Sequence, residues 1–296
     1  MMLEFQGIWV PLVTPFQDGA VDHAALRRLV QHLAAQGVAG LVACGSTGEA
    51  AMLTDAEQAS VLATTLDAAG DKPVLMGLAG VDAQAIARRA QALALLHRPA
   101  GWLLAPPAYV KPSQAGIAQH FHTVASATPL PLVAYDIPAR TGVRIQTATL
   151  LALADHPQIA AVKDCSGERA AADAVLADGR LALLGGNDDE LFDQLARGAA
   201  GGITASAHLA TAGFVQLAGL LHGGRLADAR TLWRRLAPIT QAAFAEPNPA
   251  VIKGALARQG WLADGLRPPM LPAAAASVDA LLAAAAALQV PGLSRQ

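Results

Sequence analysis

The segment Ile159-Ala-Ala-Val-Lys-Asp-Cys-Ser-Gly167 places a single lysine at the end of a short apolar run. The apolar residues predict a buried strand, and Asp164, Ser166 and Gly167 predict a turn away from its carboxyl end. A lysine at such a strand end can project its amine into a pocket of low dielectric, where burial disfavours the charged form. The neutral amine can then condense with a ketone to form a Schiff base. The alternative is a lysine whose side chain extends from the strand end to water.

Apolar runs of strand length recur along the chain, separated by longer alanine- and leucine-rich segments of helical pattern. The runs are continuous rather than alternating, which is typical of parallel strands covered on both faces. Eight such strand–helix units predict an α/β fold, a closed (β/α)8 TIM barrel with a C-terminal helical extension. An open, doubly wound sheet is the alternative, but no Gly-x-Gly-x-x-Gly follows the first run. The predicted strands are Ile8–Thr14, Gly40–Cys44, Pro73–Gly77, Gly101–Leu104, Leu132–Tyr135, Ile159–Lys163, Leu181–Leu184 and Gly202–Ala205.

The helical segments predict how the chain is divided. Residues 1–206 are expected to form the barrel, and residues 207–296 its last helix and C-terminal helices packed on it. No linker composition separates the two parts, so we expect one structural unit. The C-terminal helices are predicted at Thr211–His222, Arg225–Ala245, Pro249–Gln259 and Ser277–Leu288. Candidate helix N-caps are Asp22, Thr54, Asp82, Ser113 and Thr147.

Composition narrows the classes of function. Charged residues make up 15% of the 296 residues, and the formal net charge is −2, so the composition does not indicate the basic domain of a nucleic-acid-binding protein. The N-terminus has no basic start followed by an apolar run, and Asp279 interrupts the apolar stretch Pro272–Val290. We therefore predict neither a targeting segment nor a membrane span. Cys44 and Cys165 form no disulfide or metal pattern, and we expect a cytoplasmic protein.

Active sites of (β/α)8 barrels lie at the carboxyl ends of the strands, and the second predicted strand ends in Gly45-Ser-Thr-Gly-Glu49. The two glycines allow the backbone N–H groups of Ser46 and Thr47 to converge, and their hydroxyls add donors. A carboxylate fits such an anion-binding turn. The alternative is an ordinary strand-to-helix turn with a helix cap.

Two further side chains at the same rim can carry chemistry. Tyr135 ends the fifth predicted strand and could relay a proton to and from an adduct on Lys163, or it could simply fill the barrel mouth. Arg140 could bind a substrate carboxylate through its guanidinium, or it could be a solvated surface arginine. His120 and His122 are two residues apart in a helical segment and face different sides, so no metal site is predicted.

These motifs together resemble those of the dihydrodipicolinate synthase and N-acetylneuraminate lyase family of class I, Schiff-base-forming pyruvate aldolases. The resemblance extends through nearly the whole chain. It is carried by Pro11-Leu-Val-Thr-Pro15, Gly45-Ser-Thr-Gly-Glu49, Tyr135, Lys163, Glu246-Pro-Asn-Pro249 and Leu266-Arg-Pro-Pro-Met270. It selects the nucleophilic interpretation of Lys163, which is identified as the Schiff-base lysine.

The resemblance implies a covalent imine between Lys163 and pyruvate, whose carboxylate is held at Ser46 and Thr47. The protonated imine itself serves as the electron sink, so no metal or organic cofactor is implied. Loss of a methyl proton gives an enamine that attacks an aldehyde. The remaining implied roles are a proton relay through Tyr135, Ser46 or Thr47 and the Tyr109 of a neighbouring subunit, a backbone carbonyl from Ile203, and a wall of the same pocket at Gly186.

The identity of the aldehyde is less defined by these motifs. Arg140 matches the arginine with which synthases of the family bind the carboxylate of aspartate semialdehyde, which favours condensation of pyruvate with that aldehyde in lysine biosynthesis. Gly-Ser-Thr-Gly-Glu is more typical of the lyases and sugar-acid dehydratases. A paralogous 2-keto-3-deoxy sugar-acid aldolase or dehydratase, or an N-acetylneuraminate-lyase-like enzyme, is the alternative. A keto-acid-binding protein without catalysis is a more remote one.

Departures from the family pattern concern regulation and assembly. Asp136 stands where asparagine is usual, and Ala108 replaces an aromatic residue of the tight-dimer interface and lysine feedback site. We therefore predict an enzyme insensitive to lysine, which tight binding of lysine in a calorimetric titration would refute. The resemblance implies a homotetramer, a dimer of dimers, and the change at Ala108 keeps a dimer open.

Overall fold

Eight parallel strands close into a barrel within residues 3–288, the part of the chain that this computed structural model describes. Successive strands are neighbours, and the last pairs with the first. The closed barrel predicted from the sequence is therefore confirmed. Residues 289–296 of the predicted C-terminal extension lie outside the described residues. The strands are β1 (Gly7–Pro11), β2 (Gly40–Ala43), β3 (Val74–Leu78), β4 (Gly101–Leu104), β5 (Leu132–Asp136), β6 (Ile159–Asp164), β7 (Ala182–Gly185) and β8 (Gly201–Ile203).

The first strand is shorter than predicted. The apolar run extends to Thr14, but β1 ends at Pro11. Beyond Pro11 the chain turns toward the loop after β2, where the hydroxyl of Thr14 donates to the carbonyl of Gly48 at 2.7 Å. A hairpin of two short strands, Phe16–Gln17 and Ala20–Val21, then leads into the first helix.

Helices surround the barrel, and most begin at the predicted caps. The side chains of Asp22, Thr54, Asp82 and Ser113 each accept a backbone N–H bond from the first turn of their helix. These helices are α1 (His23–Ala35), α2 (Asp55–Ala68), α3 (Ala83–His97) and α4 (Gln114–Ala125). The others are α5 (Pro138–Thr141), α6 (Thr147–Leu153), α7 (Arg169–Asp178), α8 (Leu191–Ala196), α9 (Ala207–His222), α10 (Leu226–Ala243), α11 (Ala250–Arg258) and α12 (Ala275–Ala286).

The cap predicted at Thr147 is wrong by one position. Thr147 is the first helical residue of α6, and the N-cap is Gln146, whose side chain makes no capping bond. Gln114 from α4 takes over this role, since its Oε1 accepts both the backbone N–H of Gln146 at 2.9 Å and the hydroxyl of Thr149 at 2.8 Å. A tertiary contact thus replaces the local cap.

The barrel interior is filled by side chains from alternate positions of the strands. Trp9 is fully buried there, and its ring lies where a side chain at Gly40 would stand: an added Cβ would approach the indole to 2.2 Å. The neighbouring strand therefore needs a glycine at that position. The interior cluster consists of Phe5, Trp9, Val42, Leu75, Leu103, Val133, Tyr135, Ala161, Cys165, Leu184 and Ile203. A second, larger core lies between the strands and the helices.

The C-terminal helices are docked on the barrel wall and on one another. Helix α9 packs on β1, α10 packs on α9 and α12, and α11 packs on α12. This arrangement carries the loop after α10 to the carboxyl ends of the strands. No helix within residues 3–288 is long and apolar enough to cross a membrane.

Candidate active site

Lys163 lies at the carboxyl end of β6, beside Tyr135 on β5, to which it is directly paired in register. Both side chains are buried, and the Lys163 Nζ atom lies 4.2 Å from the centroid of the Tyr135 ring. Burial lowers the pKa of Lys163, with nearby Cys165 and Asp188 opposing the change. At a given pH a larger fraction of this amine is therefore neutral than for a lysine in water.

Lys163 borders a cavity of about 100 Å³, which we name the lysine chamber. Gly186 forms one wall, and a Cβ added there would come within 3.0 Å of Lys163 Cε and 2.4 Å of Cys165 Sγ. Only a glycine lets the backbone approach the lysine this closely. The lysine chamber is lined by Pro11, Ser46, Thr47, Tyr135, Ile137, Arg140, Lys163, Cys165, Gly186, Asn187, Asp188, Ile203, Ala205, Phe244 and Asn248.

Asp188 provides a carboxylate near the lysine. It is buried, and its oxygens accept the backbone N–H groups of Ser206 at 2.6 Å and Ala205 at 3.3 Å. Burial raises its pKa, whereas the hydrogen bonds and the charge of Lys163 act in the opposite direction. Asp188 is positioned to stabilise a positive charge on the lysine nitrogen.

Ser46 and Thr47 open a single 3₁₀ turn, Ser46–Gly48, at the carboxyl end of β2. The first N–H groups of such a turn point out of its N-terminal end, where they can bind an anion. The Ser46 side chain hydrogen-bonds to Tyr135, whose pKa is raised by burial. The Asn248 amide donates to the Thr47 hydroxyl at 2.9 Å. Ser46, Thr47 and Tyr135 thus line the same chamber, Ser46 bonded to Tyr135 and Thr47 bonded to Asn248.

A buried ion pair holds the Ser46–Gly48 turn in place. Glu49, directly after the turn, is fully buried and pairs with Lys253 of α11 at 2.7 Å. Its other oxygen accepts the backbone N–H of Arg267 at 2.9 Å, and Lys253 also donates to the carbonyl of Thr14 at 2.8 Å. The Gly-Ser-Thr-Gly-Glu loop is therefore held by the C-terminal helices as well as by the barrel.

A second cavity, the outer chamber, adjoins the first and has a volume of about 330 Å³. The two chambers share Ser46, Tyr135, Arg140 and Asn248 in their walls, and the outer one is otherwise mainly apolar. Arg140 lies on α5, and its charge also acts on Tyr135 and Lys163. The geometry provides a small compartment at the nucleophile and a larger one beside it.

The structure brings most, though not all, of the predicted site residues together. Tyr109 is 92% exposed, has a φ of 72° and lines neither chamber of the single chain, so its role in a partner's site stays a prediction. Cys44 and Cys165 are buried free thiols, and burial raises the pKa of each to about 12. The predicted residues that line one or both chambers are Lys163, Tyr135, Ser46, Thr47, Arg140, Gly186 and Ile203.

Three residues of the site had no role predicted from the sequence. Asp188 lies three residues after the end of β7 at Gly185, and the strand-end rule could have found it. Asn248 belongs to the motif Glu246-Pro-Asn-Pro249, but no role was predicted for it, and Lys253 lies after α10, where no strand end draws attention to it. The one available signal for Lys253 was a lysine within the apolar segment Ala250–Leu256, in which a charge is buried only when it is paired.

Asp136, next to Tyr135 at the end of β5, is a buried acid. We predict that it makes the stability of the protein depend on pH. It is paired in register with Asp164, its Oδ1 accepts the N–H of Ile145 at 3.1 Å, and burial raises its pKa to about 7. Between the unfolded pKa near 4 and about pH 7 the native state holds the extra proton, so stability falls as pH rises through this range. Asp136→Asn should therefore stabilise the protein by about 1–3 kcal/mol at pH 8, and by much less at pH 4.

Urea unfolding of Asp136→Asn at several pH values measures this effect. Asp71→Asn, at an exposed aspartate, is the matched control and should leave the pH profile unchanged. An unchanged profile for Asp136→Asn would show that the native carboxyl ionises as readily as the unfolded one.

A buried lysine beside a tyrosine, at the carboxyl ends of (β/α)8 strands, is an arrangement suited to an aldolase-type site of the Schiff-base class. The comparisons with known proteins agree with this class. The model of the dihydrodipicolinate synthetase family matches residues 4–288, and the chain belongs to that family. It is an enzyme of the lyase type.

Individual relatives match over nearly their full length. The 4-hydroxy-tetrahydrodipicolinate synthase of Kineococcus radiotolerans is 39% identical over 290 residues, covering 96% of this chain and 92% of the relative. That of Pelobacter propionicus is 35% identical over 285 residues, covering 94% and 97%. The names of these relatives favour the synthase over the sugar-acid and N-acetylneuraminate alternatives.

Solved structures of the same family share the fold. The dihydrodipicolinate synthase from Thermotoga maritima superposes with a TM-score of 0.92 at 28% identity, covering 96% of this chain and 100% of that one. The chloride-inhibited synthase from Acinetobacter baumannii, solved as a complex with pyruvate, gives a TM-score of 0.91 at 31% identity, covering 96% and 98%.

Proposed function

We propose that the chain condenses pyruvate with L-aspartate 4-semialdehyde to form 4-hydroxy-tetrahydrodipicolinate, a step of lysine biosynthesis. The observation that carries the proposal is the buried Lys163 beside Tyr135, in a chamber that also contains the Ser46–Thr47 turn. The relatives described above carry the name of this synthase. As part of the same proposal we place the protein in the cytoplasm, where reduced cysteines such as Cys44 and Cys165 persist.

In the proposed reaction the Lys163 amine attacks C2 of pyruvate, and water leaves to give a protonated imine. The Ser46–Thr47 turn binds the pyruvate carboxylate, and Asp188 stabilises the imine charge. Transfer of a methyl proton to the relay at Tyr135 yields an enamine, whose carbon attacks the aldehyde carbon while Tyr135 passes that proton to the aldehyde oxygen. The amino group of the acceptor then attacks C2, closes the ring and releases Lys163. The scheme uses no metal or organic cofactor, and the Tyr109 of a partner subunit would extend the proton relay.

The test of the proposal is pyruvate consumption with purified semialdehyde, read together with borohydride trapping. With pyruvate alone, borohydride should leave a stable adduct on the protein. Addition of the semialdehyde before borohydride should diminish the adduct as product forms. An adduct that is indifferent to the semialdehyde would retain the imine chemistry and reject this acceptor.

Arg140 should determine the affinity for the carboxylate of the aldehyde. A guanidinium that binds a carboxylate through two charge-assisted hydrogen bonds contributes several kcal/mol, so Arg140→Ala should lower kcat/KM for the semialdehyde about 10²- to 10³-fold. The KM for pyruvate should change little, because pyruvate binds at Ser46 and Thr47. Steady-state kinetics with each substrate varied in turn measures both values.

Arg144→Ala is the matched control, since Arg144 is an exposed arginine four residues further on that lines neither chamber and pairs with Glu168. It should retain nearly full activity. Equal losses for Arg140→Ala and Arg144→Ala, or a loss confined to pyruvate, would remove Arg140 from the acceptor site.

A further inference from the structure

The loop between α10 and α11 contributes one side chain to both chambers, that of Asn248. The loop is held in place by Glu246, whose Oε1 accepts the backbone N–H of Ala274 at 3.0 Å. The Asn248 Nδ2 donates to the Thr47 hydroxyl at 2.9 Å. Because the Thr47 oxygen accepts this bond, the Thr47 hydroxyl proton is free to be donated to a carboxylate bound in the lysine chamber.

The other end of the same amide has no partner. Asn248 Oδ1 is buried and makes no hydrogen bond within the described residues. Among the described side chains that line the two chambers, no other buried nitrogen or oxygen atom lacks a hydrogen-bond partner. A buried carbonyl oxygen without a donor costs about as much as a lost hydrogen bond. Asn248 lines both chambers, so a ligand there that brings an N–H or O–H group, and toward which the amide turns, would satisfy this oxygen.

The chemistry of the two substrates identifies which of them supplies the donor. Pyruvate presents carboxylate and carbonyl oxygens, which are acceptors only. The semialdehyde carries an α-ammonium group, which is a charged donor. Glu49, the carboxylate of the outer chamber, has its oxygens engaged by Lys253 and the Arg267 backbone, so it is not available to this group.

We propose that Asn248 Oδ1 binds the α-amino group of the acceptor aldehyde and makes this enzyme selective for an amino aldehyde. The inference rests on the proposed condensation. Arg140 binds the carboxylate of the acceptor, and Asn248, at the junction of the two chambers, binds its nitrogen. The nitrogen is then held beside the Lys163 imine, which it must attack to close the ring. Since a neutral amine still donates an N–H bond, this contact survives the deprotonation that ring closure requires.

The test compares aspartate semialdehyde with 4-oxobutanoate, which is the same molecule without the amino group, by pyruvate consumption. For the wild type, kcat/KM should be higher with the amino aldehyde. Asn248→Ala should reduce that preference about 10- to 100-fold, the range expected for a hydrogen bond to a charged group. N248D keeps an acceptor oxygen and should retain the preference.

Thr47→Val separates the two functions of the amide. It removes the partner of Nδ2 and leaves Oδ1 in place, so it should weaken pyruvate binding without changing the preference between aldehydes. Borohydride trapping with pyruvate shows that each variant still forms the Lys163 adduct and is folded.

Each outcome decides between the inference and the function on which it rests. If Asn248→Ala lowers the rates with both aldehydes equally, or the wild type shows no preference for the amino group, the role of Asn248 Oδ1 is refuted and the condensation stands. If the wild type forms the pyruvate adduct but consumes neither aldehyde, the proposed function fails, and the inference fails with it.

Discussion

Replacement of Lys163 with arginine is expected to abolish the pyruvate adduct and to lower the rate of pyruvate consumption by about 10⁴-fold or more, the scale on which enzymes lose activity with their nucleophile. Arginine retains the positive charge and most of the length, but its guanidinium stays protonated and cannot form the imine. Borohydride trapping followed by intact-mass measurement and peptide mapping reads the result directly.

The other lysines of the chain serve as internal controls for the position of the adduct; they are Lys72, Lys111 and Lys253. Lys253 is also buried, but it is ion-paired with Glu49 and is expected to stay unmodified. Because burial lowers the pKa of Lys163, adduct formation should reach its plateau at a lower pH than it would for a lysine in water. Lys72→Arg should behave like the wild type. A Lys163→Arg protein that keeps a tenth of the activity, or an adduct mapped to another lysine, would refute the assignment.

Replacement of Lys253 with methionine is expected to destabilise the protein by about 3–5 kcal/mol, because it leaves the Glu49 carboxylate buried without its counter-charge. Neither side chain of this pair has any exposed surface, and the Thr14 carbonyl loses its donor as well. Chemical unfolding monitored by circular dichroism measures the change. Activity should fall with it, since Glu49 anchors the turn that contains Ser46 and Thr47.

Two comparisons identify the buried charge as the cause. Arg258→Ala breaks the ion pair with Asp279, whose partners are 52% and 63% exposed, and should cost less than about 1 kcal/mol. The double variant Glu49→Gln/Lys253→Met removes both charges and should recover much of the lost stability. A Lys253→Met protein within 1 kcal/mol of the wild type would mean that Glu49 takes up a proton or another partner at little cost.

Much of this fold could be predicted from local signals. Continuous apolar runs separated by helical patterns predicted the strands, and the caps at Asp22, Thr54, Asp82 and Ser113 predicted where four helices begin. At Thr147 the local signal predicted the wrong cap residue. A side chain from another helix, Gln114, satisfies the start of α6, and no pattern within the segment records that contact.

In the candidate site, too, some residues could be predicted from the sequence and others could not. The sequence by itself determined that Lys163, Tyr135 and the Ser46–Thr47 turn share one rim, because the carboxyl ends of successive parallel strands meet at one end of a barrel. Only the tertiary structure decided that Asn248 enters both chambers and that Lys253 pairs with Glu49, a residue 204 positions earlier in the chain. Those contacts depend on how the C-terminal helices dock on the barrel. Burial shifts the pKa values of Lys163 and Asp136 only after that packing has removed water from around them.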